Sequence, residues 1–151
     1  MKFTRRVLHN LAKPWVFKGC DFQTQKLATE MLELMKNNDG IGLAAPQIGI
    51  SKRVFVMAVH GRERVCFNPE ITFRSDVLTE FSEGCLSFPG EQCIIKRPDT
   101  IAVRYQDHRG DWTEDEMVGL EARCFQHELD HLDGVVMQDR QKEQDATEPR
   151  N

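Results

Sequence analysis

The stretch that bears most directly on chemistry is His127-Glu128-Leu129-Asp130-His131, with two histidines four positions apart and a glutamate beside the first. On a helix this spacing puts both imidazoles on one face, where they can grip one metal ion. The glutamate can then handle the proton of a water held by that ion. The pattern implies metal-assisted hydrolysis; its bland alternative is a surface helix carrying two histidines by chance. The neighbours weigh against chance. Met117, Leu120, Cys124, His127 and His131 follow three- and four-residue spacing, and Val118, Ala122, Phe125, Leu129 and Leu132 widen the same stripe. Both histidines therefore fall on the buried side, where an imidazole needs a partner. Asp130 or a backbone carbonyl is expected to hold the second ring nitrogen.

Two histidines are one ligand short, because a catalytic site takes three protein ligands and keeps a position open. In HELDHLDGVVM, Met137 stands where a third histidine of the longer HExxHxxGxxH pattern would be, and a thioether suits a hard Lewis acid poorly. The downstream glutamates, Glu143 and Glu148, lie in a polar tail with nothing apolar to hold it. The third ligand is expected upstream, and Cys85, beside Gly84 in EGCLS, is the candidate. Cys20, Cys66, Cys93 and Cys124 read as small buried hydrophobes.

These residues need elements to position them. The helix bearing His127 is expected to start at Thr113–Glu116, where a cap and acids favour the exposed N–H groups, and to stop at Gly134. A first helix is expected over 21–38, with Leu27, Met31 and Leu34 on its buried stripe and Asp21 as N-cap. Gly40-Ile41-Gly42-Leu43-Ala44-Ala45 satisfies a dinucleotide fingerprint in letters only, since it follows a helix and is closed by Pro46. Its small residues permit close backbone approach, and Gln47 is its one polar side chain, either a turn cap or a site group. From Arg53 to Tyr105 the pattern is strand-like. Turns are expected at His60-Gly61, Asn68-Pro69, Pro89-Gly90 and Pro98-Asp99, and a hairpin turn at 108–111 leads to a short strand at 111–113. His9, His60 and His108 read as bystanders, residues 1–20 as an irregular arm on the core, and the last dozen residues as a frayed tail.

The 151 residues fit one domain, and 40% hydrophobic with 29% charged is ordinary globular composition. A net charge of −4 gives no nucleic-acid footprint. No apolar run is long enough to span a membrane. The opening MKFTRRVLHN lacks the apolar core of a secretory signal, and no transit peptide is read. Five cysteines without a CxxC pair point to thiols in a reducing compartment.

Taken together, GIGLAAPQ at 40–47, EGCLS at 83–87 and HELDH at 127–131 resemble the three ordered motifs of the peptide deformylase family, over roughly residues 14–137. The resemblance implies an α+β fold with antiparallel sheets around a central HExxH helix, and one catalytic domain over 1–137 followed by a polar tail, 138–151. It implies removal of the formyl group from the N-terminal formyl-methionine of new polypeptides, with release of formate. Carried over, Cys85, His127 and His131 would hold one divalent ion, Fe2+ in the main expectation, with Zn2+, Ni2+ or Co2+ as alternatives. Glu128 would be the general base and then acid, and Gln47 with the Leu86 N–H would hold the developing oxyanion. Glu83 and Ser87 would support these groups. The methionine side chain would need an apolar pocket, for which Ile41, Phe81, Leu120 and Cys124 are candidates, and the backbone of Gly42 would pair with the peptide as an added strand.

Two departures stand out. Cys93 occupies the position where many members carry a peptide-binding Arg. The tail also lacks helical periodicity, so the chain resembles the short members of some phages and organelles, without the helix linked to ribosome docking. The expected partners are N-formylmethionyl peptides, at most nascent chains near a ribosome, and no nucleic acid or membrane. The expected setting is a monomer in bacterial cytoplasm, or in host cytoplasm for a phage protein. Two other readings stay open: another amidase or peptidase using the same site, which a deep cleft for internal peptide would favour, and a non-catalytic metal-binding module, which a closed four-ligand site would favour.

Overall fold

The structure is a computed structural model that describes residues 2–19 and 21–147; Cys20, the side chain of Asp21 expected to cap the first helix, and tail residues 148–151 lie outside the described residues. The chain runs α1 (Asp21–Asn37), β1 (Gly42–Ala44), a 3-10 turn (Ala45–Ile48), β2 (Val54–Val59), β3 (Arg62–Arg74), β4 (Leu78–Cys85), β5 (Phe88–Pro98), β6 (Thr100–Gln106), β7 (Trp112–Val118), α2 (Gly119–Leu132) and α3 (Met137–Thr147). Five strands form an antiparallel sheet in the order β1-β2-β3-β6-β7, and β4 pairs with β5 in a separate two-stranded sheet.

Alternation along β2 explains the layering. Phe55, Met57 and Val59 face α2 and pack with Ile101, Val103, Met117, Phe125 and Leu129. Val54 and Val56 face the other way, onto Met31 and Met35 of α1. A strand buried on both faces reads as the continuous apolar run VFVMAV. The β4–β5 sheet lies on the remaining side of α2, so the HELDH helix is central and buried from Ala122 to Leu132. The α+β architecture agrees with the expectation.

Four local expectations are corrected. α2 begins at Gly119, not at 113–116, because Thr113–Val118 continues β7 against β6. There Thr113, Asp115 and Met117 point inward at period two, and Asp115 accepts from Arg64 at 2.5 Å instead of capping a helix. The expected Asn68-Pro69 turn is a bulge inside β3: Asn68 has φ +49°, and its side chain bonds the backbone N–H and C=O of Trp15. The β4–β5 turn falls at Leu86-Ser87, and Pro89-Gly90 belongs to β5. Residues 137–147 of the tail form α3. Its docking face is Met137, Arg140 and Gln144, at three- and four-residue spacing but mostly polar, so a search for apolar periodicity passes over it.

Gly134 ends α2 with φ +75°, and a Cβ there would stand 2.9 Å from the His9 carbonyl carbon. The N-terminal arm passes this point and continues along the core, with Leu8 fully buried and the Ala12 N–H donating to Leu132 O.

Candidate metal centre and cleft

The three motifs converge. EGC is the end of β4, GLA is edge strand β1, and HELDH is the C-terminal part of α2. One ligand atom from each of Cys85, His127 and His131 comes within 4.8 Å of the others, and Cys85 Sγ is 3.4 Å from His131 Nε2. A cysteine and two imidazoles beside a cleft are a donor set that would suit a borderline divalent ion. Burial disfavours the His127 imidazolium, yet bonds to Cys85 and Glu83 raise that group to about 10, while burial and the neighbouring His127 hold His131 well below its usual range. Asp130 does not hold an imidazole, as the sequence suggested. Glu83 does, through a 2.9 Å contact with His127 Nδ1, which turns Nε2 to the cluster.

Behind Glu83 lies a buried ionic network that sequence reasoning missed. Arg97 donates to both Glu83 oxygens at 2.6 and 2.9 Å and to Asp130 at 2.9 Å. Arg123 donates to Glu83 at 2.6 Å and to the carbonyls of Ile95 and Thr79. Arg140 from α3 clasps Asp130 through two donors. Burial alone would raise the Glu83 carboxyl, but Arg97 and His127 reverse that and hold it well below the usual range. The one sequence signal was the inward register of β5, where Cys93, Ile95 and Arg97 are buried in alternation. Replacing Arg97 by Leu removes the donor that bridges two buried carboxylates, Glu83 and Asp130, so unfolding in urea should show a loss of about 3–5 kcal/mol; a change within experimental error would mean Arg123 and Arg140 suffice.

Glu128 is buried beside the cluster, and burial raises its carboxyl to about 7. Gln47, which also lines the cleft, has both ends of its amide bonded. The Ala44 N–H donates to its Oε1 at 2.8 Å, and its Nε2 donates to Ser87 Oγ at 3.1 Å and points at Cys85 Sγ at 3.5 Å. Gln47 thus serves as a cap and also faces the cluster. A cleft of about 310 Å³ opens in front, lined by Ile41, Gly42, Gln47, Phe81, Leu86, Leu120, Arg123, Cys124 and Glu128 among others. Ile41, Phe81 and Leu120 are otherwise exposed large apolar side chains, and the cleft accounts for them. Cys93 is not part of this lining; it packs with Ile95 and Met137 under α3. His9 and His60 are exposed and His108 is half-buried, all away from the cluster.

A Cβ on Gly42 would lie 2.5 Å from Glu128 Oε1 and 2.9 Å from Cys124 Sγ. An alanine on β1 here would push the Glu128 carboxyl and the Cys124 thiol aside. Gly42→Ala should therefore cut turnover by at least about 100-fold, the usual cost of a misplaced catalytic group, and a steady-state assay showing near-normal kcat would contradict this packing.

An HExxH helix with a cysteine beside its two histidines and an open cleft, inside this α+β frame, is an arrangement that suits a metal-dependent hydrolase. Residues 1–147 match the family Polypeptide deformylase. A peptide deformylase of Thermotoga neapolitana is 47% identical over 136 residues, covering 90% of this chain and 82% of its own. The crystal structure of the Thermotoga maritima peptide deformylase superposes with a TM-score of 0.87 at 43% identity, covering 93% of this chain and 97% of that one. An Acinetobacter baumannii peptide deformylase bound to Met-Ala-Ser gives 0.87 at 33% identity, covering 92% and 94%. The chain belongs to the polypeptide deformylase family. Among the described residues no helix is long and apolar enough to cross a membrane.

Proposed function

We infer that this protein removes the formyl group from the N-terminal formyl-methionine of newly made polypeptides and releases formate. The observation that carries the reading is the convergence of Cys85, His127 and His131 within 4.8 Å, with Glu128 and Gln47 both lining an apolar cleft. Cys85, His127 and His131 are the proposed ligands of one divalent ion, with Fe2+ the first choice and Zn2+, Ni2+ or Co2+ able to suit the same donors. When bound, such an ion supplies an acidified water and polarises the formyl oxygen.

The chain's own groups do the rest. Glu128 accepts the proton of the attacking water at its carboxylate and delivers it to the leaving amine nitrogen. Gln47 Nε2 and the Leu86 N–H donate to the oxygen that gathers charge, and both are held before the reaction begins. The methionine side chain takes the space between Ile41, Phe81, Leu120 and Cys124. The peptide backbone adds to the free edge of β1 at Gly42. The proposed partners are formyl-methionyl peptides, met by a monomer in the cytoplasm.

The test is formate release from formyl-Met-Ala-Ser by protein loaded anaerobically with Fe2+. Turnover that exceeds that on acetyl-Met-Ala-Ser supports the reading. Equal cleavage of internal peptide bonds would transfer it to a general peptidase.

A further inference from the structure

The N-terminal arm reaches two of the motifs and the end of the helix that carries the third. Its Thr4 N–H donates to Gln47 O at 2.7 Å, its Arg5 Nε donates to Ser87 O at 3.0 Å, and its Ala12 N–H donates to Leu132 O at 2.9 Å. The Arg5 guanidinium also lies over the Phe88 ring, 4.7 Å from its centroid. Phe3 and Leu8 anchor the segment on either side. Two adjacent arm residues thus hold the two pieces that face the reacting oxygen in the proposed site: the Gln47 turn, and the Leu86-Ser87 turn whose hydroxyl fixes Gln47 Nε2.

We propose that Arg5 is a positioning residue for the oxyanion-binding groups. It pins the Ser87–Phe88 peptide from outside, and thereby sets the Leu86 N–H and, through Ser87 Oγ, the Gln47 amide. The physical reason lies in the turn itself. Leu86-Ser87 is a two-residue link between β4 and β5 with a register shift at Gly84/Cys85, so local pairing alone leaves its orientation loose. A charged donor on the Ser87 carbonyl and a cation over the next ring constrain it without entering the cleft. Donors to a developing charge gain their value from being fixed in advance. Arg5 touches neither the proposed ligands nor Glu128, so its effect falls on orientation alone.

The proposal rests on the deformylase reading, and its test separates the two. Arg5→Ala, Arg5→Lys and Arg6→Ala are compared with wild type in metal-replete protein. Arg6 is the neighbouring residue, exposed like Arg5, and its backbone N–H donates to Thr4 Oγ1. Because a direct oxyanion donor is worth about 10²–10³ in kcat, Arg5→Ala should lower kcat about tenfold, with KM within about twofold. Metal content and melting temperature should match wild type. Arg5→Lys should recover part of the loss, and Arg6→Ala should behave as wild type. Independently of turnover, hydrogen–deuterium exchange over residues 84–89 should speed up several-fold in Arg5→Ala alone. Unchanged exchange together with unchanged kcat would overturn the proposal, as would a loss of kcat that tracks metal content or melting temperature. If wild-type protein shows no deformylation, the functional reading fails, and the exchange data still decide whether Arg5 holds the turn.

Discussion

Glu128→Gln should leave the metal content of the protein unchanged and reduce formate release by about 10³–10⁴-fold, at the upper end of what a positioned acid–base group supplies. The argument is geometric. Glu128 is buried against the cluster, yet the convergent ligand atoms are those of Cys85, His127 and His131. Its Oε2 is buried without a hydrogen-bond partner among the described residues, as suits a group whose partner arrives with the substrate or with water. Glutamine keeps the shape and removes the proton acceptor, so packing against Gly42 and Cys124 survives. Glu128→Ala should behave alike at the chemical step and differ in stability. Metal analysis beside steady-state kinetics decides the matter: residual turnover above about one per cent would reassign the base, because that much loss is within reach of packing changes alone.

Cys85→Ala should abolish metal retention. Even a group that only supports a ligand costs about 10–100-fold in affinity, so loss of a thiolate ligand should exceed about 100-fold. His127 and His131 stay on α2 whatever occupies position 85, and two imidazoles alone hold a divalent ion weakly at neutral pH. Cys85→Ser keeps an oxygen at nearly the same place but gives up the thiolate, and it should fall between the two. Dialysis followed by metal analysis reads the outcome. Full occupancy in Cys85→Ala would remove Cys85 from the ligand set and turn attention to Glu83, the other acid beside His127.

Both predictions concern residues that can be found without coordinates, for a reason. His127, Glu128 and His131 lie within one helical turn, where sequence spacing translates directly into shared direction. Gln47 and Cys85 are recognisable because each is the lone polar or thiol group in a short stretch of small residues, and because the three motifs fall in order. The layers of the fold follow from equally local signals: the stripe of α1, the doubly buried run of β2, and the inward alternation of β6.

Other features depend on which distant strands meet. The start of α2 was misread because Thr113–Val118 carries helix-cap chemistry and strand alternation at once, and pairing with β6 decides between them. α3 docks by Arg140 on Asp130 and Gln144 on the edge of β5, contacts that leave no apolar period to detect. The network that orients His127 joins Glu83, Arg97, Arg123, Asp130 and Arg140 through single contacts that bridge as many as 44 positions of sequence, as between Glu83 and His127. A charged residue shows its own type in the sequence but not its partner. Local periodicity and motif spacing determined the chemistry and the main elements. Only tertiary structure decided which charges are buried together, which turn faces the cleft, and that an arm with no motif of its own reaches two of the motifs and the end of the helix bearing the third.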